Sequence, residues 1–119
     1  MNLYDLNKSI VNQLTPLTVN EIGAKMDLFN SFNQDCNVLH YMLLCKEFNY
    51  YTVFEFDPMT SMPTFGAAIC TIISELGEVY SAEYTEDKSA IEIWIKPNGE
   101  ESALAFYLFP YESGVVYYG

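Results

Sequence analysis

Two runs near the end of the chain alternate with a period of two: Ile91, Ile93 and Ile95, then Leu104, Phe106 and Leu108. In an extended strand, side chains at i, i+2 and i+4 share one face, so each run lays its large apolar residues on a single side. Between them Pro97-Asn98-Gly99 is a hairpin signal, because Asn-Gly supplies the positive-φ residues that a tight turn needs. Two adjacent antiparallel strands with one apolar face must bury that face against something. The rest of the chain has to supply the cover.

Helical patterns supply it. Leu3, Leu6, Ile10, Val11 and Leu14 follow helical spacing, with Asn2 as N-cap and Asp5 in the first turn, and Thr15-Pro16 ends the run. Thr18-Val19-Asn20-Glu21 is a capping box, with Leu17 and Ile22 placed for a hydrophobic staple. The helix it starts is expected to reach about Phe32 and to bury Ile22, Met26 and Phe29. Phe65, Ile69, Ile72, Ile73 and Leu76 form a further helical stripe, which Gly77 is placed to end as a C′ glycine.

Between these helices, Tyr50 to Phe56 is rich in β-formers and reads as a strand. Val38 to Lys46 pairs with it through a turn near Phe48-Asn49. A short buried helix is the alternative there, since Met42, Leu43 and Leu44 favour helix. Asp57 to Pro63 reads as a loop, Val79 to Thr85 as a strand, and Gly114 to Tyr118 as a short final strand. The expectation is one compact α+β domain over residues 1–119, with three helices and an antiparallel sheet of about four to six strands in the order ααββαβββ.

Composition narrows the chemistry. The chain has no arginine, and 16 Asp and Glu oppose 5 Lys and the single His40, for a formal charge of −11. Arginine is the usual bidentate clamp for phosphate and carboxylate, and lysine does not reproduce its planar fork. So negative a chain repels nucleic acid and anionic lipid and favours a basic protein partner. With 10 Tyr and 8 Phe it is too aromatic for an acidic disordered segment. The longest nearly unbroken apolar run, Phe65 to Ile73, is far short of the roughly 18 residues of a membrane span. The first residues carry no basic region ahead of an apolar one, so the expected setting is the cytoplasm. An odd number of cysteines fits reduced thiols there.

Chemical motifs are sparse. Cys36, His40 and Cys45 give C-x3-H-x4-C, which is not a common zinc spacing even with Cys70 added. A Cys–His nucleophile needs thiol and imidazole within hydrogen-bond reach, and Cys45 sits in an apolar run that favours an inert thiol. Glu83 to Asp87 lacks the glycine and ligand spacing of an EF-hand loop. The glycines are dispersed and form no phosphate-binding loop. Asn7-Lys8-Ser9 matches a glycosylation acceptor, which has no consequence without export, the expected case here. No catalytic residue, metal or cofactor is assigned.

What remains is a surface. If the isoleucines of the strand at 90–96 face the helices, Glu92, Trp94 and Lys96 face away, joined by Ala103, Ala105, Tyr107 and Phe109 from the next strand. One of Tyr80 or Tyr84 extends this face, and Glu83, Glu86, Asp87, Glu100 and Glu101 edge it from nearby turns. Aromatic residues with carboxylates around them form a good binding surface for a basic partner. The candidate contact residues are therefore Trp94, Tyr107, Phe109, Glu92, Tyr84, Glu83, Glu86, Asp87, Glu100 and Glu101. The same face is alternatively a second core layer beneath the N-terminal helices, or a homodimer interface. The expected function is an acidic binding module of the inhibitor, nucleic-acid-mimic, immunity or chaperone type, not an enzyme. A self-associating structural subunit is the alternative.

Overall fold

The computed structural model describes residues 15–36, 40–55 and 65–110, the last three residues of the first segment by backbone only. Their elements run α1 (Val19–Ala24), α2 (Met26–Cys36), β1 (His40–Cys45), β2 (Tyr50–Glu55), α3 (Phe65–Leu76), β3 (Gly77–Tyr84), β4 (Ile91–Pro97) and β5 (Leu104–Pro110). The strands form one five-stranded sheet in the order β2-β1-β5-β4-β3, with every neighbour antiparallel. The fold is α+β. No described helix is long and apolar enough to cross a membrane.

Residues 40–45 are a strand, and the hairpin into β2 turns at Lys46–Asn49. Asn49 closes that turn at φ 53, a left-handed conformation that asparagine tolerates. Pairing then places Tyr41, Leu43 and Cys45 opposite Phe54, Thr52 and Tyr50. Period-two alternation puts the six on one side, with Leu104, Phe106, Leu108, Ile91, Ile93 and Ile95 continuing the layer across β5 and β4. Most of this face is sealed: Tyr41, Leu43, Cys45, the three isoleucines, Phe106 and Leu108 are inaccessible.

Helices α2 and α3 cover it with Phe29, Phe32, Phe65, Ile69, Cys70 and Ile73. Tyr41 packs between Phe32 and Phe65, its ring 5.9 Å and 4.6 Å from theirs. The two helices approach closely at Gly66, where a Cβ would collide with the Met26 carbonyl oxygen and lie 2.9 Å from its Cα. Asn30 of α2 closes the same junction. Its side-chain oxygen accepts the Gly66 N–H at 2.7 Å, satisfying one of the unpaired donors in the first turn of α3.

The structure corrects several expectations. The capping box forms, with the Glu21 N–H donating to Thr18 Oγ1 and the Thr18 N–H to Glu21 Oε2. The helix it starts does not run through to Phe32, however. It stops at Lys25, whose N–H turns back to Gly23 and Ile22, and α2 begins afresh at Met26. Gly23 adds helix cost within the short α1, and the Leu17 N–H, bonded to the Val79 carbonyl at 2.7 Å, fixes its start to the sheet. Gly77 ends α3 but not as a left-handed cap. At φ 158 it is nearly extended and already the first residue of β3, where the Lys96 carbonyl leaves no room for a Cβ. Pro97 belongs to β4, and the turn proper is Asn98–Gly99, with Gly99 at φ 87. The expected helix over 3–14, the loop at 57–63 and the strand at 114–118 lie outside the described residues, and the second expected helix is divided in two at Lys25.

Gly66→Ala is expected to destabilise the fold by about 1–3 kcal/mol, because backbone rather than a flexible side chain blocks the added methyl. Urea unfolding gives the value, and a midpoint equal to wild type would show that α2 and α3 can separate freely.

Candidate functional site

The side of the sheet away from α2 and α3 is assembled from alternate residues of all five strands. Registers place Tyr51, Leu44, Tyr107, Glu92 and Glu83 in one row across it, each directly opposite the next. At the usual strand spacing of nearly 5 Å, this row spans about 19 Å. Val53, Met42 and Phe109 form a parallel row on one side. Ala105, Trp94 and Ser81 form one on the other. Exposure is uneven: Tyr51 is 69% exposed, Val53 40% and Tyr107 37%, whereas Met42, Tyr80 and Ala103 are buried. Trp94 is half-buried.

Glu92 organises the centre. Its Oε1 accepts the Trp94 indole N–H at 2.8 Å and its Oε2 accepts the Tyr107 hydroxyl at 3.0 Å. Trp94 shares its face because it is two residues along the same strand, and Tyr107 because it is the cross-strand partner. Partial burial, followed by the bond to Glu92 and the charge of that carboxylate, pushes the Tyr107 phenol up to about 12. The phenol therefore remains a donor throughout the neutral range. On its other side Glu92 faces Glu83 across the β3–β4 ladder. Like charges directly opposite destabilise a sheet. Among the described residues neither carboxylate has a lysine partner; Lys96 pairs instead with Glu78 at 3.9 Å.

Of the sequence-based candidates, Trp94, Tyr107, Phe109, Glu92 and Glu83 share this face. Tyr84 does not. It pairs with Ile91 on the helix-covered side, sets its ring edge-on to Phe32 at 6.0 Å and donates its hydroxyl to the Leu28 carbonyl at 3.5 Å. The cause is a β-bulge between Val79 and Ser81, which shifts the alternation of β3 by one residue. Tyr80, the extra residue, takes the other side, where partial burial and then the nearby Glu78 carboxylate raise its phenol.

The turn carboxylates are also dispersed. Glu86 and Asp87 sit in the β3–β4 hairpin at one end of the sheet, Glu100 and Glu101 after Gly99 at the other. Asp87 has a structural role, accepting the Ser89 N–H at 3.0 Å, the Ser89 hydroxyl at 2.7 Å and the Thr85 hydroxyl at 2.9 Å. The bonds from Ser89 and Thr85 bring its carboxyl down to about 2.

Sequence reasoning missed Tyr51, Val53, Leu44 and Met42. Alternation along Tyr50–Glu55 was a usable signal for Tyr51 and Val53, but nothing local says that β1 lies beside β5. His40 and Cys45 of β1 point to opposite faces, so no Cys–His pair forms there. Burial raises the Cys45 and Cys70 thiols, and Cys70 donates to the Ile22 carbonyl at 3.3 Å. Among the described residues no three His, Cys, Asp or Glu side chains come together as a metal site. No protein-family model, curated protein or solved structure matches the chain.

Two titrations check this geometry. Glu92→Gln is expected to lower the Tyr107 phenol from about 12 while leaving it above 10, since burial is the largest cause and remains; the ultraviolet titration difference between proteins with and without Tyr107→Phe reads it. Asp87 is depressed in the folded state, so its stabilisation is complete above pH 3.8 and is lost as pH falls toward 2. Asp87→Ala is accordingly expected to be less stable than wild type at neutral pH, with the gap closing as pH approaches 2. A gap independent of pH would assign its effect to the loop backbone.

Proposed function

We propose that this chain is a protein-binding module, not an enzyme, whose acidic, tyrosine-bearing sheet face occupies a basic surface of a partner. Inhibitors, nucleic-acid mimics, immunity proteins and acidic secretion chaperones share this physical profile. The observation that carries the reading is Glu92, held in place by Trp94 and Tyr107 while facing Glu83 without a lysine to offset the repulsion. A lysine or arginine from a partner entering there would meet the Glu92 carboxylate, held by its two hydrogen bonds, and the exposed Glu83 opposite it, beside exposed aromatic surface. Complementary charge accelerates encounter, and the aromatic groups supply most of the affinity. Charge gives the reading further support, since the excess of acid has no counterpart within the chain. The free thiols of Cys45 and Cys70 suit a reducing compartment, consistent with action in the cytoplasm.

The alternative, self-association through the same face, draws on the exposure of Tyr51, Val53 and Tyr107. A charge of −11 on each copy opposes it.

Immobilised protein challenged with host lysate is expected to retain a basic protein that a salt step releases. A Glu83→Gln, Glu92→Gln double variant is expected to weaken that capture by about tenfold or more, in line with losing the half-buried Glu92 and the exposed Glu83 as charge partners. Retention indifferent to both salt and substitution would refute the reading. A stable dimer by light scattering, with no basic protein retained, would favour self-association.

A further inference from the structure

The sheet has two edges, and the chain treats them differently. On β3 the ladder is broken by the bulge at Val79/Ser81, the Val79 carbonyl is taken by the Leu17 N–H, and Glu78 and Glu83 lie exposed along the strand. Bulges, charges and covering segments are the devices by which proteins prevent unwanted strand pairing. Among the described residues β2, at the other edge, has none of them before its last residue. Tyr50-Tyr51-Thr52-Val53-Phe54 is an unbroken set of strong β-formers without proline, glycine, lysine or a bulge, and its only described strand neighbour is β1. Such a strand offers a row of backbone donors and acceptors to an incoming one.

We propose that β2 accepts an extended segment of a basic partner as a sixth strand. The inference rests on the basic-partner reading and specifies how that partner engages. Both faces of β2 define the incoming strand. Tyr51, Val53 and Glu55 point to the same side as Tyr107 and Glu92, whereas Tyr50, Thr52 and Phe54 are only half-buried on the core side. The fitting strand therefore alternates: apolar residues extend the core beside Tyr50 and Phe54, and basic residues lie toward Tyr51 and Glu55. Cations at separate positions of such a strand meet the Glu55 carboxylate at one end of β2 and the face of the exposed Tyr51 ring at the other. Main-chain hydrogen bonds give affinity in such an addition, and alternate side chains give specificity. A second copy is the poorer occupant, since pairing two β2 edges would bring together two chains each of charge −11.

The test uses the full chain and an eight-residue peptide of alternating lysine and valine, blocked at both ends, at low ionic strength. Hydrogen exchange of the Tyr50–Glu55 amides is expected to slow on binding, and backbone N-methylation along both peptide edges is expected to weaken affinity by about tenfold or more. Equal affinity after N-methylation, or protection appearing on β3, would overturn strand addition. Amides of β2 that already exchange as slowly as those of β4 without peptide would do so too, by showing the edge to be occupied. Slowing that grows with protein concentration alone would assign the edge to a second copy. A helix-forming lysine–leucine peptide of equal charge separates the two levels: if it binds while the strand peptide does not, the basic-partner reading stands and strand addition fails. If neither binds, both fail.

Discussion

The pairing of β1 with β5 holds the architecture together. It joins residues more than sixty positions apart, setting Tyr41 against Pro110 and Leu44 against Tyr107. Without it the β1–β2 hairpin and the β3–β4–β5 meander would be separate sheets, each with an apolar face too narrow to bury. With it, Tyr41, Leu43 and Cys45 join Leu104, Phe106 and Leu108 in one layer wide enough for α2 and α3 to cover. Closing a loop of that length costs conformational entropy, which only the burial that follows can offset.

The same pairing creates the opposite face. A sheet residue has one side or the other, so fixing the core layer also fixes Leu44 beside Tyr107 and Tyr51 beside Leu44. The polar centre at Glu92 and the apolar strip at Tyr51 and Val53 thus become parts of one surface. Acid repulsion at Glu83 and Glu92 is a cost to an isolated chain, and so, among the described residues, is the edge left open at β2.

Much of the fold was legible from local pattern. The alternation at Ile91–Ile95 and Leu104–Leu108 located β4 and β5, the capping box located the start of α1, and the stripe at Phe65–Ile73 located α3. These signals are local because hydrogen-bonding period and capping chemistry act over a few residues. The face of Glu92, Trp94 and Tyr107 followed from the same alternation. Tyr84 did not, because a bulge inverts alternation and the sequence around Val79–Ser81 does not announce one. The anchoring of the start of α1 depends on the contact of Leu17 with the sheet at Val79, and the short extended entry at Gly77 depends on the approach of Lys96. Neither is encoded nearby.

The sequence by itself determined the period of each element, the absence of arginine, the strong negative charge and the identity of the aromatic groups on β4 and β5. Those are properties of single residues and near neighbours. Tertiary structure alone decided the strand order, and with it the row from Tyr51 to Glu83, the fate of Tyr84 and Tyr80, the dispersal of the turn carboxylates to opposite ends and the contrast between the two edges. Which strands become neighbours is settled by how the most apolar area can be buried together. That is a property of the whole chain, and no short stretch of it carries the answer.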